Sequence, residues 1–178
     1  MGEGAHPYVL LARRAIEHYV RHNELLHPDA EPDDPPAVGL FVSIHEPPQH
    51  GKQYRRLRGC IGSTVPTEPT LRGEIAHIAV SAAVSDPRFA PLTTDELDGL
   101  EITVYLLGEP EPITDLAELD PARYGIVLKE HHGRTGLLLP GIPGITSPEQ
   151  QVAVAREKGG FHPTEAVDMF RFEATILR

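Results

Sequence analysis

The sequence predicts an α+β fold in which helices pack on an antiparallel sheet. Two pairs of apolar segments are each joined by a turn, at residues 46–51 and 131–134, and such hairpins pair antiparallel strands. The segments with helical spacing fall between these hairpins without a regular strand–helix alternation. The predicted order is therefore helix, hairpin, helix, strand, hairpin, helix, strand.

Each helix is predicted from its apolar spacing and from the residues at its ends. Pro7 suits the first position of the first helix. Thr67 and Pro69 open the second, and Asp86-Pro87 ends it because the residue before a proline is pushed out of the helical region. Ser147 and Gln150 form a capping box for the third. The predicted helices cover residues 7–26, 67–84 and 147–159, with a short helical turn at 95–97.

The strands are short segments rich in β-branched and aliphatic residues, and the last of them alternates apolar with polar residues as a half-buried strand does. They are predicted at residues 40–44, 54–61, 100–107, 125–128, 136–139 and 170–176.

Composition indicates a compact protein of a reducing compartment. A chain of 178 residues buries roughly 70% of its unfolded surface. Its single cysteine cannot form an intrachain disulfide. No signal-peptide pattern and no apolar run of membrane-spanning length is present, so we expect a cytoplasmic location and no membrane partner. The formal charge of −10 opposes nucleic-acid binding.

The segment from Leu57 to Gly62 carries the strongest chemical signal. Strand alternation separates a core face from an opposite face, with Leu57, Gly59 and Ile61 on the first and Arg58, Cys60 and Gly62 on the second. A guanidinium near a thiol favours the thiolate and lowers the pKa of the thiol. Glycines within a strand indicate a bulge or a close approach by a backbone or a ligand. The segment is therefore a candidate site for an anionic ligand.

A purely structural interpretation of the same segment is simpler. Free cysteine often behaves as a small buried hydrophobe, and the glycines then only make room for a helix. A cysteine nucleophile also needs a base. His45 and His77 are the candidate bases, and both are also compatible with ordinary surface positions. No zinc-ligand spacing, phosphate-binding loop or dinucleotide motif occurs, so no metal and no cofactor is predicted.

The run Leu57-Arg58-Gly59-Cys60-Ile61-Gly62 resembles the hallmark of the AMMECR domain family, whose bacterial and archaeal branch is called AmmeMemoRadiSam system protein A. The resemblance covers nearly the whole chain. It extends to further motifs in the same order, at residues 6–13, 86–89, 119–125, 136–140 and 149–155. Residues 46–53 form a longer loop than the family pattern has, and Lys158-Gly159-Gly160-Phe161 also departs from it.

The resemblance implies one domain over residues 1–178, with two interleaved lobes around a cleft and the cysteine motif near that cleft. The smaller lobe is expected around residues 38–62. Asp86 and Arg88 join Arg58, Gly59 and Gly62 as candidate ligand-binding residues. Members of the family are often encoded beside a Memo-type protein and a radical SAM protein, which makes these two the expected partners.

Three functions from different classes remain open. The first is a binding module whose cleft holds a small anionic ligand or a partner protein. The second is an enzyme that uses Cys60 as a thiolate nucleophile or redox residue, with Arg58 orienting an anionic substrate. The third, nucleic-acid binding, is disfavoured by the net charge. The absence of a base visible in the sequence places the binding module above the enzyme.

Overall fold

The computed structural model describes residues 4–29, 31, 33–47 and 55–178. The helices within these residues are α1 (Pro7–His22), α2 (Leu71–Val84) and α3 (Pro148–Gly159). The strands are β1 (Leu40–His45), β2 (Leu57–Ser63), β3 (Glu101–Leu107), β4 (Glu111–Ile113), β5 (Tyr124–Lys129), β6 (Thr135–Leu138) and β7 (Asp168–Leu177). The pairings β1–β2, β1–β3, β4–β7, β5–β6 and β5–β7 are antiparallel, so the predicted α+β class and antiparallel sheet are confirmed.

Two compact units divide the chain, the first formed by residues 1–106 with 176–178 and the second by residues 107–175. In the first unit β1 is the central strand, with β2 on one side and β3 on the other. Helix α2 packs on β1 and β2, and α1 packs on α2. Alternate residues of β1 enter the core beneath α2, namely Leu40, Val42 and Ile44. The hairpin of β1 and β2 thus belongs to the larger unit.

In the second unit β5 lies between β6 and β7, while β4 pairs with β7. Helix α3 packs on β5 and β6. It begins with the predicted capping box, in which the Ser147 side chain accepts a hydrogen bond from the amide of Gln150. It ends at Gly159, and the following Gly160 caps it with a left-handed φ of 65°. The buried Gln151 side chain donates to the carbonyl oxygen of Tyr124 at 2.7 Å and joins the helix to β5.

Two helix ends differ from the prediction. Helix α2 begins at Leu71 because Thr70 caps it, with its hydroxyl accepting from the amide of Gly73 at 3.2 Å. Thr67 lies before the helix, since Pro69 restricts the preceding residue to extended conformations. Helix α1 ends at His22, four residues early, because Asn23 adopts a left-handed φ of 56°.

Strand β4 was not predicted, since it has three residues and a proline in the middle. It is held by its pairing with β7, in which Glu111 lies opposite Arg171. Tyr54, the first residue of the predicted second strand, lies outside the described residues. Among the residues that the structure describes, no helix has the length and apolarity needed to cross a bilayer.

Candidate functional site

Strand β2 carries a bulge at Arg58. Ile44 of β1 lies opposite Gly59, whereas the next residue, His45, lies opposite Leu57. Arg58 is therefore the extra residue on β2, and such a bulge interrupts the alternation of side chains between the two faces. The alternation predicted over residues 57–62 consequently holds from Gly59 onward and is broken at Arg58.

The glycines of this segment are required by close packing inside the first unit. A Cβ added at Gly59 would lie 2.1 Å from the carbonyl oxygen of Ala82, so α2 approaches β2 backbone to backbone at this point. A Cβ at Gly62 would lie 2.2 Å from the ring of Phe41, its register partner on β1. Both glycines thus have a structural reason that involves no ligand.

Arg58 is buried, and all three nitrogens of its guanidinium group donate hydrogen bonds. Only 8% of the residue is exposed. Its Nε and Nη2 donate to the two carboxylate oxygens of Glu96 at 2.7 and 3.1 Å. Its Nη1 donates to the carbonyl oxygen of Ala90 at 2.8 Å, and Nη2 also lies 3.4 Å from that of Pro91. The bulge therefore turns this side chain toward residues 90–96, where the guanidinium holds that segment against β2.

Glu96 is the partner of Arg58 that the sequence did not single out. The hydrogen bonds from Arg58 lower the pKa of Glu96 to about 2, and those from the amide and hydroxyl of Thr93 act in the same direction. Phe89 joins the cluster, since the guanidinium carbons of Arg58 and Arg88 lie 5.9 and 5.4 Å from the centre of its ring. The spacing of Thr93 and Glu96, which is that of a capping box, was the available signal.

Asp86 and Arg88 cover the backbone of Cys60. The amide of Cys60 donates to Oδ2 of Asp86 at 2.9 Å, and Nη2 of Arg88 lies 3.4 Å from the Cys60 carbonyl oxygen. The two side chains also pair with each other, at 2.6 and 2.9 Å. Asp86 is buried, whereas the side chain of Arg88 is 56% exposed. The structure thus brings three of the predicted site residues together.

The cation beside the thiol is therefore Arg88. Its pKa is raised, first by the hydrogen bond to Asp86 and also by the negative charges of Asp86 and of the Cys60 thiolate. The carboxylate of Asp86 contacts the same guanidinium at 2.6 Å, so it offsets part of the positive charge beside Cys60. Cys60 itself is partly exposed.

We expect Asp86 to stabilise the fold in a pH-dependent way. The hydrogen bond from Arg88, followed by the amides of Cys60 and Arg88, lowers the pKa of Asp86 from 3.8 to about 2, which corresponds to about 2 kcal/mol. Because the pKa is lower in the folded state, this stabilisation is complete above about pH 5. It is lost as the pH falls through 3.8 toward 2.

Urea unfolding of the wild type and of Asp86→Asn at pH 6 and pH 3 tests this expectation. The difference in unfolding free energy between the two proteins should shrink by about 1 kcal/mol at the lower pH. An unchanged difference would show that the carboxylate charge of Asp86 contributes nothing.

The two candidate bases lie in different surroundings. His45 is opposite Leu57, whereas Cys60 is opposite Ser43, two residues and about 7 Å away along β1. Burial, followed by the nearby Arg55, lowers the pKa of His45, so its ring is neutral at pH 7. In that form it can accept a proton.

His77 contacts the segment before α2, with Nδ1 lying 3.1 Å from the hydroxyl of Thr67. It precedes Ala82, the residue that faces Gly59, by five positions, or about 140° around the helix. It therefore points away from β2. Among the residues that the structure describes, no group of three or more His, Cys, Asp or Glu side chains is arranged to hold a metal ion.

Comparisons with known proteins point to one family. A model of the AMMECR1 family matches residues 9–177. A protein of Thermotoga maritima is 42% identical over 173 residues, with 95% of each chain covered. A Clostridium acetobutylicum protein is 36% identical, and there the match spans 35% of the longer chain.

A solved structure has the same fold. The crystal structure of the uncharacterized protein PH0010 from Pyrococcus horikoshii superposes with a TM-score of 0.82 at 32% identity, covering 95% of this chain and 88% of that one. With the family match over nearly all residues and the shared architecture, this chain belongs to the AMMECR1 family.

Proposed function

We propose that this chain is a binding module and that the edge of β2 at Cys60 takes an extended segment of a partner protein. The observation that carries the proposal is the covering of the Cys60 backbone by two side chains, Asp86 on its amide and Arg88 on its carbonyl. Natural sheets cover an edge strand in this way to prevent unwanted pairing. A side-chain cover can also be exchanged for the backbone of an incoming strand, which is how strand-addition domains bind peptides.

The charges around β2 favour a protein segment over a small free anion. Arg58 is neutralised by Glu96 and Arg88 by Asp86, and the chain as a whole carries a formal charge of −10. Among the described residues of this edge, an anion would therefore meet paired cations, Arg58 and Arg88, and the net charge of the chain would repel it at longer range. A partner strand needs no net charge, because its carbonyl oxygen would replace the Asp86 carboxylate as acceptor and its amide would replace the Arg88 guanidinium as donor.

The expected partners are the Memo-type protein and the radical SAM protein of the same organism. Binding of each purified protein to this chain is measured by calorimetry, first with the wild type and then with Asp86→Ala. Since the variant lacks the group that must be displaced, we expect it to bind about tenfold more tightly, the equivalent of one charge-assisted hydrogen bond of about 1.5 kcal/mol.

Two further variants serve as controls for the affinity measurement. Asp115→Ala removes a carboxylate that also accepts from a backbone amide, that of Ala117 at 2.9 Å in the second unit, and should leave the affinity unchanged. Cys60→Ser should also bind normally, whereas an enzyme that depends on the thiolate would lose its turnover. Weaker binding by Asp86→Ala would contradict the strand exchange, and no binding of either protein to the wild type would contradict the proposed partners.

A further inference from the structure

The hydroxyl of Ser43 is buried without a hydrogen-bond partner. The residue is 4% exposed, and its Oγ makes no hydrogen bond to any described residue. A buried hydroxyl left in this state costs about 1–3 kcal/mol. Alanine at the same place would avoid that cost, so the hydroxyl calls for a reason beyond stability.

The position of Ser43 supplies such a reason. It lies in the middle of β1, directly opposite Cys60 on β2 and Thr103 on β3. Directly opposite residues of antiparallel strands project from the same face, with their Cβ atoms about 4.5–5.5 Å apart. The Ser43 hydroxyl and the Cys60 sulfur are therefore direct cross-strand neighbours on one face of the sheet. Arg88 also places a positive charge near Cys60, which its partner Asp86 offsets in part.

We propose that Cys60 is a site of reversible oxidation by hydrogen peroxide, with the Ser43 hydroxyl as the donor that stabilises the sulfur anion and then the sulfenic acid. The thiolate sulfur attacks one peroxide oxygen, so that an S–O bond forms and the O–O bond breaks. Sulfur loses two electrons to the peroxide. The leaving hydroxide takes up the proton that the thiol released and departs as water.

The return to the thiol needs a reductant from outside the chain. Cys60 is the only cysteine, so no second thiol of the same chain can form a disulfide with the sulfenic acid. A low-molecular-weight thiol fills this role in two steps. The first thiol condenses with the sulfenic acid to a mixed disulfide and water, and a second displaces Cys60 as the thiol while the two small molecules leave as their disulfide.

Sulfenic-acid trapping on the folded protein tests the inference and requires no partner, so it succeeds or fails independently of the proposed strand binding. The purified chain is treated with hydrogen peroxide and a dimedone-type probe, and adducts are counted by intact-protein mass spectrometry. We expect one adduct on the wild type and none on Cys60→Ser. Ser43→Ala, which removes an unpaired group and should fold normally, is expected to form the adduct at least about tenfold more slowly.

The matched controls separate the hydroxyl of Ser43 from its surroundings. Ser43→Thr keeps the hydroxyl and should retain most of the rate, and Thr103→Val changes the other register partner of Ser43 and should react within twofold of the wild type. Absence of an adduct on the folded wild type would overturn the inference. An unchanged rate for Ser43→Ala would do so as well.

Discussion

Gly59→Ala is expected to destabilise the protein by about 3 kcal/mol or more. The added methyl group would lie 2.1 Å from the carbonyl oxygen of Ala82, whereas real contacts of this kind are at least about 3 Å. The oxygen belongs to the backbone of α2, so it cannot move alone, and the helix must shift away from the sheet. Overpacking in a core costs typically about 1–3 kcal/mol, and more where the neighbour is rigid.

Chemical denaturation of the wild type and the variant measures this loss directly. Gly4→Ala, where an added Cβ meets nothing within 4 Å, is the control and should be neutral. Combining Gly59→Ala with Ala82→Gly should not restore stability, because the clash is with the carbonyl oxygen and not with the Ala82 side chain. A Gly59→Ala protein within 1 kcal/mol of the wild type would show that α2 does not need this close approach.

The prediction for Gly59 illustrates what the sequence could reveal about the site. A glycine in a strand indicated a bulge or a close approach, and the structure has both, with the bulge one residue earlier at Arg58. The sequence could not distinguish a helix from a ligand as the approaching group. That distinction depends on where α2 packs, which local spacing does not determine.

The bulge itself could not be predicted, because it is a property of two strands. Alternation along β2 alone placed Arg58 on the face of Cys60 and made it the neighbouring cation. The register with β1 leaves Arg58 without an opposite residue, and its guanidinium then reaches Glu96, 38 residues further along the chain. Pairing over such a separation leaves no periodic signal in the sequence.

Asp86 and Arg88 lie together for a local reason, and their role in ligand binding stays a prediction. The Asp-Pro pair that ends a helix also directs the chain into a turn, and the adjacent arginine can then reach back to the aspartate. The sequence did not show that this pair covers Cys60. It also gave no sign that Ser43 would be buried without a partner, since a serine in an apolar strand is unremarkable until its neighbours on both sides are known.

Arg58→Ala is expected to lower the unfolding free energy by about 3 kcal/mol. The change leaves the carboxylate of Glu96 without its main partner. It also removes the donor from two carbonyl oxygens, those of Ala90 and Pro91. Removing one member of a buried ion pair typically costs about 3–5 kcal/mol. We expect the lower end of that range, because the side chain of Glu96 is 36% exposed and water can partly replace the guanidinium.

Arg123→Ala is the matched control, since Arg123 also pairs with a glutamate, Glu173, but at the surface, with the two side chains 64% and 58% exposed. Such a pair contributes little to stability, because water and salt screen it. Arg58→Lys should fall between the wild type and Arg58→Ala, because an ammonium keeps the charge but cannot bind both oxygens of Glu96 and the two carbonyls together. Denaturation of the four proteins measures all these differences.

The same variants decide what Arg58 is for. If Arg58 fastens residues 90–96 to β2, its loss will appear as lower stability, and partner binding will change only as far as the fold does. If it instead contacts a ligand, Arg58→Ala will be as mild as Arg123→Ala in denaturation and will lose binding while fully folded. The buried contact between Arg58 and Glu96 favours the first result. In that case the part of β2 available to a partner is its edge at Cys60, which Asp86 and Arg88 cover.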